Sequence, residues 1–128
     1  MTLKDLTQIL SSLAPAVGPL CAFCIIEPCR LTAVLPELIG MYAEAEGITG
    51  VLPVNAAEAL GLEPVGIFRQ ITLSVYSDLH AVGLLAVACT ALAKADISVN
   101  VISAINHDHL YVPEARMEEA MAILQAVI

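Results

Sequence analysis

The stretch from Arg69 to Leu124 admits few folds, because its apolar residues keep changing period. "RQITLSVY" alternates as a half-buried strand does, with Ile71, Leu73 and Val75 on one face. "LLAVACTALAKA" is apolar nearly all round and predicts a helix with little surface left for solvent. "DISVNVISAIN" alternates again, with Ile97, Val99, Val101, Ser103 and Ile105 sharing a face. "HLYV" follows after about two or three residues, which demands an antiparallel hairpin. "PEARMEEAMAILQAVI" closes the chain as a helix, with Pro113 suited to its first turn and Glu114, Glu118 and Glu119 toward its positive end. The order is β-α-β-β-α.

The first half is less regular. "LKDLTQILSS" spaces Leu3, Leu6, Ile9, Leu10 and Leu13 as a short amphipathic helix, broken by "APAVGP". "LCAFCIIE" reads as a strand, "EPCRLTAVLPEL" as an irregular connection, and "ELIGMYAEAEG" as a weak helical turn stopped at Gly47. "ITGVLPV" reads as a strand, and "NAAEALG" as a short helix with Asn55 as N-cap and Gly61 as its stop. "VLPVNAAEAL" and "YVPEARMEEAM", offset by about 60 residues, both run from an apolar residue through proline into a helix. That faint repeat, with β-α-β order in both halves, suggests two copies of one small unit.

Several function classes are disfavoured by composition. The formal charge is -8, and the five basic residues, Lys4, Arg30, Arg69, Lys94 and Arg116, are scattered. A phosphate backbone would meet repulsion, so no nucleic acid partner is expected. The longest uncharged run, Leu79 to Ala93, falls short of the roughly 18 to 20 residues of a span, and Asp5 follows Lys4 where a secretory signal would be apolar. A cytoplasmic protein with no membrane partner is expected. At 59% hydrophobic and 128 residues, the chain has more aliphatic surface than a small sphere hides, so a homo-oligomer is expected.

Four cysteines occupy positions 21, 24, 29 and 89. "CAFCIIEPC" invites a metal or redox reading, but positions three apart in a strand point to opposite faces, which makes Cys21 and Cys24 diverge as small buried hydrophobes. His107 and His109 share a strand face while Asp108 takes the other. They could chelate a metal only with a third ligand such as His80, and the expectation is no metal and no cofactor. There is no G-x-S-x-G elbow or phosphate loop, so no catalytic residue and no enzyme is expected.

The segment "SVYSDLHAVGLLAVACTALAKADISVNVISAINHDHLYVPEARMEEAMAIL" resembles an ACT domain, and "AEAEGITGVLPVNAAEALGLEPVGIFRQITLSV" is similar to the partner half of small tandem ACT proteins. "HDHLYVPE" is also similar to the matching part of animal cytosolic arginine sensors. The resemblance implies an α+β fold of two ferredoxin-like βαββαβ units, residues 1–64 and 65–128, packed side by side as an intramolecular pseudo-dimer. It leaves the last strand of the second unit to be found, in residues 62–69 or nowhere.

It further implies a regulatory protein that binds an amino acid-like ligand at the interface between such units and signals to a separate partner protein. The alternatives are a ligand-free structural or interaction module and, from another class, a metal- or thiol-handling protein using Cys21, Cys24 and the histidines. Gly83 falls where the family has its turn glycine; without a Cβ it admits a ligand, and the N–H groups of Leu84 and Leu85 can receive a carboxylate. Asp78, Val82, Gly83 and Leu84 would thus hold one end of the ligand. Asp108, at the position of a ligand-contacting aspartate in the arginine-sensor relatives, would hold an ammonium or guanidinium group. Ile105 stands where those relatives have an aromatic contact and offers only an apolar wall.

Overall fold

A computed structural model of the chain describes residues 15–73 and 83–127. The helix expected over residues 3–12, and Asp78, His80 and Val82, lie outside the described residues. The described residues divide into two compact units, Pro19–Phe68 and a second in which Pro15–Gly18 join those from Arg69 onward. Two long strands, β1 (Pro15–Ile26) and β4 (Pro64–Leu73), each contribute to both units.

The Pro19–Phe68 unit runs β1, a 3-10 turn at Pro28–Arg30, α1 (Leu31–Val34), a second 3-10 turn at Leu35–Glu37, β2 (Gly40–Glu44), β3 (Gly47–Pro53), α2 (Val54–Ala59) and the front of β4. Its strand order is β2-β3-β1-β4, with Cys24 opposite Gly50 and Tyr42 opposite Thr49. Ala22, Cys24 and Ile26 alternate inward and bury against Val34, Leu52 and Ala57. Cys21 is buried outside that cluster, and Cys29 is exposed.

Three sequence expectations change here. The "irregular" connection is a run of short helical turns, started by Pro28, whose fixed φ suits a first helical position. "GMYAE" is a strand instead of a helical turn, because pairing with β3 across a tight hairpin outweighs the helix propensity of Met, Ala and Glu. Asn55 sits inside α2, with Pro53 at the N-cap position; its Oδ1 accepts from the Ala56 N–H at 2.9 Å. Gly61, at φ +66, does follow the C-cap residue of α2, Leu60.

In the other unit, the back of β4 leads to α3 (Leu84–Lys94), β5 (Asn100–Ser103), β6 (Asp108–Val112), a 3-10 turn at Glu114–Arg116, and α4 (Met117–Val127). The β-α-β-β-α order matches the sequence reading. Strand order is β5-β6-β4-β1, the outermost place going to Pro15–Gly18. Arg69 donates from Nη1 to the Gly18 carbonyl at 3.1 Å and forms a fork with Glu114 at 2.6 and 3.0 Å. The last strand therefore comes from neither source the sequence suggested, and "APAVGP" is strand in place of a break. Prolines fit there because Pro15 is the first residue of the strand and Pro19 precedes the stretch paired with β3.

Ile71, Leu73, Leu110 and Val112 face Ala88, Leu92, Ala120 and Leu124 from the two helices, closing the core of this unit. Against expectation, α3 buries only Ala88 and Leu92, and Val87 is 52% exposed. One sheet covers one side of a helix, and its other side here remains aliphatic. β5 is shorter than "DISVNVISAIN" suggested: the Ala104 N–H bonds the His107 carbonyl at 3.0 Å, so the chain turns and leaves Ile105 exposed. Among the described residues no helix is long and apolar enough to cross a membrane.

Candidate functional site

β6 lies between β4 and β5, so its side chains alternate between two environments. Asp108, Leu110 and Val112 share one face, and Leu110 and Val112 belong to the helix-covered core. Asp108 stands opposite Leu73 on one side and Ser103 on the other. Leu73 packs in the cluster that also takes Leu85 and Ala88 of α3. Asp108 thus stands at the end of the strand that lines this core, and the residue is only 7% exposed. Among the described residues nothing forms a hydrogen bond or ion pair with it. Its charge reaches α3: burial first, and Asp108 second, push the Cys89 thiol above its ordinary pKa.

Gly83 holds the N-cap position of α3 with φ +102, a conformation few side chains tolerate, and no side-chain cap. The Gly83 carbonyl accepts the Val87 N–H at 2.9 Å, so the helix begins directly after it. The first N–H groups of such a helix have no partner within it and form its positive end. Of the sequence-derived candidates, Gly83 and Leu84 mark the start of α3, and Asp108 begins β6. Ile105 is 68% exposed in the hairpin turn. Asp78 and Val82 lie outside the described residues.

The opposite face of β6 is polar. The Tyr111 hydroxyl donates to Gln70 Oε1 at 2.9 Å, with both residues buried. His109 Nδ1 and Thr72 Oγ1 are 2.9 Å apart. The His107 and His109 rings stand edge to face at 6.2 Å, and His107 Nδ1 is buried without a hydrogen-bond partner among the described residues. The histidines do share a face away from Asp108. Among the described residues no group of three or more His, Cys, Asp or Glu is placed to hold a metal. Sequence reasoning passed over the Gln70–Tyr111 pair; a glutamine within an alternating apolar strand was the available signal.

Burial first, and His107 second, hold His109 below its ordinary pKa, against a smaller opposing pull from Asp108. In the unfolded chain this imidazole titrates near 6.5, so below that pH the unfolded state binds the proton more readily. The stability that neutral His109 contributes is complete above that value and is lost as pH falls through it toward the lower folded value. His109→Asn should therefore flatten the drop in unfolding midpoint between about pH 7 and 5. Equal slopes in variant and wild type would assign the pH response to other groups.

A family model described as the ACT domain matches residues 65–126. A Vibrio cholerae protein of unknown function, described as a possible transport protein, is 37% identical, with 95% of this chain and 94% of that chain covered and a TM-score of 0.79. The allosteric aspartate kinase of Clostridium acetobutylicum is 12% identical over 89% of this chain, with a TM-score of 0.61; this chain spans 34% of that enzyme. The ligand-free regulatory subunit of aspartate kinase from Thermus thermophilus is 10% identical, covering 89% and 96% of the two chains, with a TM-score of 0.59. No curated protein matches the sequence. The two strand-proline-helix repeats, the β-α-β-β-α order, the ACT model over residues 65–126 and these structural likenesses agree: the chain belongs to the ACT-domain family.

Proposed function

We propose that this protein is a non-catalytic, cytoplasmic sensor of a free amino acid, with the α3 N-terminus receiving the ligand's carboxylate and Asp108 its cationic group. The observation that carries this reading is Asp108, a residue 7% exposed whose carboxylate has no hydrogen bond or ion pair among the described residues. A carboxylate with no protein partner offers a charge-assisted bond to a ligand that brings an ammonium or guanidinium group. The bare helix start after Gly83 supplies the complementary positive end. Binding would be read out as a change in association, either with a second copy or with a separate regulated protein. Ala86, Val87, Thr90, Ala91, Lys94 and Val127 line an open, largely aliphatic hollow of about 540 Å³, which favours self-association as part of that response.

The test is thermal unfolding against each of the common amino acids at millimolar concentration. A ligand at about 100 times its Kd adds about 2.7 kcal/mol, a rise in midpoint on the order of 10 °C for a chain this size. One or two amino acids should give this shift, and Asp108→Ala should abolish it. No shift with any of them, or a shift unchanged in Asp108→Ala, would overturn the reading.

A further inference from the structure

Pro64–Phe68, the front of β4, is the outer strand of the Pro19–Phe68 unit, with β1 on one side of it. β6 joins β4 only from Arg69 onward, so among the described residues no strand pairs with the other edge of Pro64–Phe68. Val65 and Ile67 alternate onto one face, 76% and 45% exposed, and neither belongs to the helix-covered cluster of Ala22, Cys24 and Ile26.

Open edges are ordinarily blunted by brevity, by proline or by charge. The other outer stretches follow that rule: β5 is four residues long, β2 ends at Glu44, and Pro15–Gly18 is bounded by Pro15 and Pro19. Past its first residue, Pro64–Phe68 carries neither proline nor charge.

The segment is also complementary to itself. In an antiparallel pair centred on Gly66, Val65 of one copy stands directly opposite Ile67 of the other, and the symmetry makes that β-branched pair twice. Gly66 opposes Gly66, so no side chain intrudes at the centre. A Cβ on Gly66 would lie 2.7 Å from Phe68 Cε2, which means the ring already covers its own strand's glycine. Phe23 braces that ring edge to face at 5.4 Å. Pro64 comes at the end of the ladder, where a missing N–H costs least.

We infer that Pro64–Phe68 is a docking edge for a second copy of this chain, which adds its own Pro64–Phe68 in an antiparallel ladder centred on Gly66. Such an isologous contact closes as a dimer. So short a ladder falls below the roughly 1,200 Å² of a stable interface, and the dimer therefore exchanges readily with monomer. The edge shares no residue with the Asp108 site or with the hollow on α3, and the inference stands whether or not a ligand binds there.

Sedimentation of the full chain in amino acid-free buffer should show a monomer–dimer equilibrium with a Kd on the order of 100 µM. Ile67→Lys, which puts a charge on the ladder, should raise that Kd at least tenfold without lowering the unfolding midpoint, whereas Val87→Lys on the exposed side of α3 should leave it unchanged. Register is read by disulfide cross-linking in a Cys29→Ser, Cys89→Ser background. A mixture of Val65→Cys and Ile67→Cys chains should cross-link, because directly opposite Cα atoms are about 4.5–5.5 Å apart. Either variant alone should cross-link far more slowly, since like positions stand diagonally at about 7–8 Å. A chain still monomeric at about 1 mM, a Kd unchanged in Ile67→Lys, or equal cross-linking in the mixture and the single variants would each overturn the inference.

Discussion

Leu110→Ala should lower stability by about 3 kcal/mol and the unfolding midpoint by roughly 10–20 °C. Leu110 is fully buried, opposite Ile71 on one neighbouring strand and Val101 on the other, with Leu92, Ala120 and Leu124 in the same cluster. Backbone neighbours on both sides keep β6 from moving inward, so a truncated side chain leaves a void that the strand cannot fill. Denaturant unfolding should show a lower midpoint with an unchanged slope. A loss below about 1 kcal/mol would mean that the helices collapse onto the sheet, contrary to the packing described.

Tyr111→Phe should cost about 1–3 kcal/mol although it removes a single oxygen. The phenol donates to Gln70 Oε1, and with Gln70 9% exposed and Tyr111 1% exposed that amide oxygen loses a donor where water has little access. Adding Gln70→Leu to Tyr111→Phe should recover most of the loss, because replacing both members of a buried pair avoids the orphaned acceptor. A double variant as unstable as the sum of the singles would show that the two side chains act independently.

These two neighbours on β6 illustrate how much could be read from the sequence. The alternation of Leu110 and Val112 against Tyr111 was visible as a period of two, and so was the placement of Asp108 away from His107 and His109. That Asp108 would be buried, with no ion pair among the described residues, was not visible, because burial depends on how the helices cover β6, which is a tertiary fact. Gly83 was marked as a turn glycine by the family resemblance, and its φ of +102 is one that glycine adopts most readily.

Where local preference and long-range pairing disagreed, the sequence misled. Met41 to Glu44 prefer helix locally, yet they pair with β3 through a hairpin. Pro15 and Pro19 mark a break locally, yet the stretch between them is the outer strand of a unit whose other members begin at Arg69. Arg30 looked like one of five scattered cations. Only the turn of α2 back toward the Pro28–Arg30 segment gave its side chain the Leu60 carbonyl and a cleft to line.

The loan of Pro15–Gly18 to a sheet that begins more than fifty residues later imposes an order on biosynthesis. As the chain leaves the ribosome, Pro19–Phe68 holds all its own strands and is able to close first. Pro15–Gly18 must then wait, with its pairing edge unused, until Arg69–Leu73 and the hairpin of β5 and β6 are synthesised. Closing that long loop is entropically costly, so docking of the early strand belongs among the late and slow steps of folding.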